Sequence, residues 1–378
     1  MAQRLGDEKS RRAAHHLIWP SRPLESVGSV LVAGSGTSQA VRHALRHPRG
    51  RVVGIDVSAT SIEHSRALAA HHQVVNLELH PLPIEEVAHL GQRFDHVVCT
   101  GVLHHLADPE LGLRRLREML APGGALTLMV YARFGRAGVY LIQEYCRRLG
   151  VGTTPDELID LVATLREIPR GHPLSRLLRE TRDFADDGAL ADALCNPRDV
   201  AYSVPELFDL LEAAGLRFGR WQRQAPYLPD CGAIGETPHA DRIAEMTPGE
   251  QFALMELFRG TMTRHTVIAF DSGDSKSGIL DFADPAVGDW VPVPVTTAVA
   301  VRERLPEGAA AALINQAHTD VDLVLFVNGR ENEVFGSIDG KHSIADLGMD
   351  VEFVERLWRH DLVVIDSTAV TANRKDER

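Results

Sequence analysis

The chain has 378 residues, 44% hydrophobic and 24% charged, with a formal net charge of -12. Such a length and balance suit a globular protein of two domains, or one domain with insertions. The acidic excess speaks against a surface that wraps nucleic acid, and the cations Arg114, Arg115 and Arg117 read as the solvated face of a helix. Cys99, Cys146, Cys195 and Cys231 are far apart and form no CxxC pair, so neither a disulfide framework nor a zinc site is expected. Residues 1–12 lack an apolar signal core, and no apolar run approaches the ~20 residues of a membrane span. A cytoplasmic chain without a membrane partner is the expectation.

Residues 1–26 read as a loosely structured arm docking through Leu17, Ile18 and Trp19. From Val27 to Ala132 strands and helices alternate, the pattern of a parallel sheet. Strands are expected at 28–33, 51–56, 75–80, 94–100 and 124–131, with helices at 37–47, 58–71, 83–90 and 109–120. Asp108-Pro109 supplies an N-cap and a first-turn proline, and Pro122-Gly123-Gly124 a stop. Residues 133–200 are helical in pattern, long enough for a lid over a site or for an oligomerisation surface that would make a homodimer. Ser203-Val204-Pro205-Glu206 starts a capped helix with a stripe of Leu207, Leu210, Leu211 and Ala214, ended by Gly215. Two last strands are expected at 218–225 and 265–270, with a helical insertion around 238–262.

Residues 272–290 have a linker's composition, and 291–372 read as a small C-terminal α+β domain before a tail at 373–378. Its expected helices are 303–317 and 350–360, and its strands 322–328, 333–336 and 361–366.

The most informative stretch joins Val30-Leu31-Val32-Ala33-Gly34-Ser35-Gly36 to Arg51-Val52-Val53-Gly54-Ile55-Asp56. An apolar run ends in a Gly-X-Gly turn, and a second ends in an acid twenty positions after Gly36. That is the layout of a nucleotide-cradling β-α-β unit: glycines admit the ligand to the backbone, and the acid grips a ribose. A dinucleotide fingerprint wants a third glycine where this chain has Gln39, which tilts the reading away from NAD.

With Phe94 to Tyr131, and above all Val102-Leu103-His104-His105-Leu106 leading to Pro122-Gly123-Gly124, the chain resembles class I S-adenosylmethionine-dependent methyltransferases over about residues 27–271. The resemblance implies a doubly wound, mostly parallel seven-stranded Rossmann-like α/β sheet with S-adenosylmethionine as cofactor. It places Ala33, Gly34, Ser35, Gly36 and Gln39 at the methionine and ribose. Asp56 and Val57 fall at the ribose hydroxyls, His80, Pro81 and Leu82 beside the adenine, and Cys99, Thr100 and Gly101 near the transferable methyl. Ala33 and His80 stand where the family often has acids.

In-line displacement from a sulfonium needs a general base only when the nucleophile arrives protonated. Candidate catalytic groups are His104 and His105, Tyr140 after the Tyr131–Gly138 turn, and Tyr202 in the Asn196–Tyr202 cluster. The competing reading has the two histidines packing or capping the next helix. No metal is expected, and a His104, His105 and Asp108 set is disfavoured because adjacent histidines on a strand end point apart. Cys99 is expected to be buried and inert. The C-terminal segment looks like a winged-helix module similar to the PqqD-type peptide-binding modules, set against a dimerisation or packing appendage.

Methyl transfer to a small-molecule acceptor is therefore the expected function. The alternatives are a peptide or protein methyltransferase recruiting its substrate through residues 291–372, and a non-catalytic cofactor-binding regulatory protein. An NAD dehydrogenase comes last.

Overall fold

The computed structural model describes residues 7–180, 187–195 and 198–368. Strands β1 (Ser29–Ala33), β2 (Arg51–Asp56), β3 (Leu77–Pro81), β4 (Phe94–Thr100), β5 (Leu120–Tyr131), β6 (Leu216–Trp221) and β7 (Arg264–Asp271) form one sheet in the order β3-β2-β1-β4-β5-β7-β6. The first five are parallel, and β7 enters antiparallel between β5 and β6. Val30, Leu31, Val32 and Ala33 are all fully buried, as a strand covered by helices on both faces requires.

The connecting helices follow local chemistry. Ser58 caps Ala59–His71 by accepting from the Ser61 backbone N–H, and Asp108 caps Pro109–Glu118 through Leu111. Residues 84–90, expected as α-helix, form a 3₁₀ segment that Gly91 closes in the left-handed region. Pro122-Gly123-Gly124 lies inside β5 rather than ahead of it, because the strand already pairs at Leu120 with Phe94. The expected strand at 218–225 ends at Trp221, where Ala225–Tyr227 turns as 3₁₀.

Among the described residues the helices Ala137–Leu149, Pro155–Arg166, Leu174–Glu180 and Asp187–Cys195 follow β5. Val139, Ile142, Leu161, Leu174 and Leu190 give them a core of their own. The chain returns to the sheet at Val204–Ala213, whose capping box is Ser203 and Glu206, and Gly215 ends it at φ 74°.

The C-terminal segment is assembled differently from the expectation. It contains β8 (Val291–Pro294), β9 (Ala298–Val301), β10 (Ala311–Asn315), β11 (Leu325–Val327), β12 (Val363–Asp366) and the helices Gly329–Ser337 and Val351–Arg359. The expected helix at 303–317 is instead a turn and strand β10: Ala311, Ala312 and Leu313 form a short apolar run bounded by Gly308 and Asn315, which periodicity cannot assign. The expected strand at 333–336 lies in a helix started by the Asn328–Glu331 capping box. Leu280 and Phe282, in the expected linker, pack on this second core.

The N-terminal arm is ordered where it is described. Asp7 caps the helix Glu8–His16, Arg12 pairs with Asp366 at 2.7 Å, and Trp19 Nε1 donates to the Gly123 carbonyl. The arm thus bridges β12 and β5. The tail at 373–378 lies outside the described residues. Among the described residues no helix is long and apolar enough to cross a membrane.

Candidate active site

The cradle sits at the C-terminal ends of β1 and β2. The backbone N–H groups of Gly34 and Ser35 both donate to the Ile55 carbonyl at 2.9 Å, folding the turn over β2. Gly34 has φ 70°, and a Cβ there would run into Val102, while a Cβ on Gly36 would meet nothing within 4 Å. Asp56 is pinned at both oxygens, by Gly36 N–H at 2.8 Å and Ser58 N–H at 2.9 Å. Each of its oxygens keeps a lone pair for a ligand. Ser35 is fully buried, and its hydroxyl has no hydrogen-bond partner among the described residues.

Buried polar groups are almost always satisfied. The orphaned Ser35 hydroxyl, the open space over Gly36 and the anchored Asp56 together fit a ligand with a ribose and a polar chain. Val57 is 75% exposed at the rim. His80 and Pro81 are the last residues of β3, and Leu82 N–H donates to the Asp56 carbonyl, holding this edge against the same turn.

At the end of β4, Cys99 is buried and its thiol is pushed up to about 12 by burial, so it stays a neutral thiol. Thr100 Oγ1 donates to Gln39 Oε1 at 2.6 Å. Gln39, in the place of a third glycine, is thus a side-chain strut that ties the helix Gln39–Arg46 to β4. Gly101 has φ 77° and its N–H donates to the Met129 carbonyl.

Beyond Thr100 opens a cavity of about 420 Å³. Its walls bring together Gln39, Thr100 and Met129 from the donor side, Gln222, Arg223 and Tyr227 after β6, Thr261 to Arg264 and Thr266 on and before β7, and Thr319 and Asp320 from the C-terminal segment. Sequence reasoning missed everything here except Gln39 and Thr100. Arg264 opposes Tyr131 across the β5–β7 pairing, but no local signal marks either residue as a neighbour of a loop near position 320.

The structure places none of the catalytic candidates on this cavity: His104, His105 and Tyr140 gather around Arg136 and Asp199, and Tyr202 lies apart from them. His104 and His105 lie in the 3₁₀ turn Leu103–His105, not on the strand, so their rings converge with centroids 4.2 Å apart. His104 is fully buried and its pKa is lowered to about 2, first by burial and then by His105 and Arg136. A group held so far below neutrality is a poor general base. His105 Nδ1 lies 2.7 Å from the Arg198 carbonyl oxygen. Tyr140 has its hydroxyl pushed up to about 12, by burial and then by Asp199. Tyr202 packs in the main core, and its backbone bridges β5 by donating to the Tyr131 carbonyl and accepting from Arg133.

The acid near the histidines is Asp199 rather than Asp108, which caps its helix: ligand atoms of His104, His105 and Asp199 lie within 4.8 Å of one another. The buried guanidinium of Arg136, 3.7 Å from Asp199, already supplies positive charge there. Asn196 and Pro197 of the expected Asn196–Tyr202 cluster lie outside the described residues.

Comparison with known proteins agrees with the cradle. Residues 31–126 match the family model described as a methyltransferase domain. An uncharacterised protein of Synechococcus sp. is 30% identical over 242 residues, covering 62% of this chain and 58% of its own length. A ubiquinone biosynthesis O-methyltransferase of Chelativorans sp. is 34% identical over 129 residues, 34% of this chain and 44% of that one. The chain thus spans about half the length of these curated relatives. The structure of PKMT2 from Rickettsia typhi has the same fold over 96% of this chain and 76% of its own, with a TM-score of 0.65 at 14% identity. The glycine turn, the acid ending β2, the β4–β5 block and the antiparallel β7 agree with these matches: residues 31–126 carry a methyltransferase domain, set in a Rossmann-like methyltransferase fold.

Proposed function

We propose that the protein transfers a methyl group from S-adenosylmethionine to a small polar molecule seated in the cavity beyond Thr100. The observation that carries this reading is the cavity itself. At about 420 Å³ it falls within the range of small-molecule sites, ~300–1,000 Å³, and it begins at the strand end where the donor's reactive group is expected. The matched relatives named for ubiquinone biosynthesis support a small-molecule acceptor.

The bound donor supplies an electrophilic sulfonium methyl, and the protein's part is placement. Gly34 and Gly36 admit the donor to the backbone, and Ser35 offers an unused hydroxyl. Asp56 presents its remaining lone pairs to the ribose hydroxyls. The Gln39–Thr100 strut fixes the wall between donor and acceptor, and Thr319 and Asp320 of the C-terminal segment complete part of the acceptor wall.

Full-length protein incubated with methyl-labelled S-adenosylmethionine and ultrafiltered cell extract is expected to label a low-molecular-weight product. Gly34→Val puts a β-branched residue at a left-handed φ and against Val102. It is expected to weaken S-adenosylhomocysteine binding by about 100-fold or more. Label found only in protein, or donor binding with no transfer to any fraction, would sink the proposal.

A further inference from the structure

Two cations on the acceptor cavity have no acid of their own. Arg223 follows β6, Arg264 opens β7, and both line the cavity near solvent. Neither guanidinium makes a hydrogen bond or ion pair among the described residues. They lie close enough that Arg264 helps lower the pKa of Arg223, second to the effect of burial. Like charges brought together at a cavity wall are costly unless an anion joins them.

The neighbouring acids are committed elsewhere. Asp361, whose charge reaches Arg223, is 3.1 Å from Arg220, accepts from the Ala225 N–H at 3.0 Å and lies 3.1 Å from His318 Nε2. Among the described residues Asp320 is the one carboxylate on the cavity lining. It accepts from Thr261 Oγ1 at 3.3 Å and lies 3.7 Å from Arg259, which Asp322 shares at 2.9 Å. The rest of the cavity lining is uncharged and includes Thr100, Thr263, Thr266 and Thr319. A cavity with two unclaimed guanidinium groups and hydroxyl-rich walls repels an ammonium group. It favours a carboxylate or phosphate, which guanidinium forks bind with charge-assisted hydrogen bonds.

Building on the methyl-transfer reading above, we infer that the acceptor is an anionic small molecule whose carboxylate or phosphate is held by Arg223 and Arg264. Its nucleophile then points toward Thr100 and the donor. The arginines fix the far end of the acceptor and so determine which acceptors are positioned for transfer, while Thr319 and Asp320 make the C-terminal segment part of the specificity wall.

Phenyl phosphate, benzoate, benzyl alcohol and benzylamine serve as probes, titrated by ligand-observed NMR against the full chain, both free and saturated with S-adenosylhomocysteine. Phenyl phosphate or benzoate is expected to bind at least about 10-fold more tightly than the alcohol or the amine, and the tighter of the two anions identifies the group. Arg223→Gln and Arg264→Gln should each weaken that anion by about 10-fold or more. The double variant should abolish the preference while S-adenosylhomocysteine affinity and melting temperature stay at their wild-type values. Equal binding of all four probes, preference for benzylamine, or an anion preference that survives the double variant would overturn the inference. Weaker S-adenosylhomocysteine binding in the variants would also overturn it, because the arginines would then hold the donor's own carboxylate. Failure of the wild-type chain to bind S-adenosylhomocysteine would defeat the methyl-transfer reading instead, and the titrations on the free chain would still decide the anion preference.

Discussion

The proposed donor half and the proposed acceptor half of the site are built in opposite ways. The donor half is local: Gly34, Ser35, Gly36 and Asp56 lie within one β-α-β unit, with the Gly34 and Ser35 N–H groups held by the Ile55 carbonyl and the Gly36 N–H by the Asp56 carboxylate. The acceptor half draws on residues from Gln39 to Asp320 that meet only because β7 enters between β5 and β6 and the C-terminal segment docks against the loop after β6. A local turn carries its geometry in its residue types, whereas an assembled wall depends on the buried contacts behind it. Those contacts are where the two halves can be separated by experiment.

The largest effect is expected at Asp361. Its carboxylate, 7% exposed, receives Arg220, itself 9% exposed, together with the Ala225 N–H beside the cavity. Asp361→Ala leaves a buried guanidinium without a counter-charge, a loss of about 3–5 kcal/mol, which denaturant melts should resolve. The molecules that remain folded should still bind S-adenosylhomocysteine, since no cradle residue touches this seam. Wild-type stability in the variant would show that the wall does not rest on this pair. Deleting residues 291–372 is a poorer experiment, because it removes Thr319 and Asp320 from the cavity and unpairs Arg220 and Arg259 together.

A smaller effect is expected where the N-terminal helix meets the C-terminal segment. Asp366 touches Arg12 at 2.7 Å and His16 at 3.2 Å. Its carboxyl is held well below the usual range: burial alone would raise it, but hydrogen bonding and charge from His16, then Thr368 and Arg12, win. A depressed folded-state pKa contributes stability that is complete above the unfolded value, about 4, and lost as the pH falls through the folded one. Asp366→Asn should therefore cost about 1–2 kcal/mol near neutrality. The gap between variant and wild type should narrow as unfolding is followed below about pH 4. A gap independent of pH would mean that the carboxylate's charge contributes nothing.

The same division explains what could be read in the chain before its fold was known. The apolar runs around Val30 and Val52, the N-cap at Asp108 and the capping box at Ser203 each determine their structure within a few residues, and the sheet follows from them. Ala311 to Asn315 read as a helix because a short apolar run has no period of its own; pairing with β9 and β11 makes it a strand. His104 and His105 stood out as polar residues past a strand end, but the 3₁₀ turn carries them inward beside Tyr131 and Arg136. Arg223 and Arg264 carried no signal at all, since an arginine at a strand end is ordinary until its neighbours are known.

Gln39 belongs to both halves and gives the smallest and most diagnostic effect. Its amide oxygen accepts from Thr100 Oγ1 at 2.6 Å while its own amide reaches the Thr100 carbonyl at 3.4 Å, and both residues face the cavity. Gln39→Ala removes one good hydrogen bond and one long one from a half-buried site, about 1 kcal/mol. It should weaken S-adenosylhomocysteine binding by only a few-fold. It also frees the Thr100 hydroxyl to rotate at the place where donor and acceptor meet. Once an acceptor is in hand, kcat should fall further than donor affinity, because alignment matters more to transfer than to binding. Gln39→Gly, which restores the third glycine of a dinucleotide turn, should lose the strut in the same way and gain no affinity for NAD. NAD binding by that variant would show that the residue at position 39, rather than the whole β1–β2 turn, selects the nucleotide.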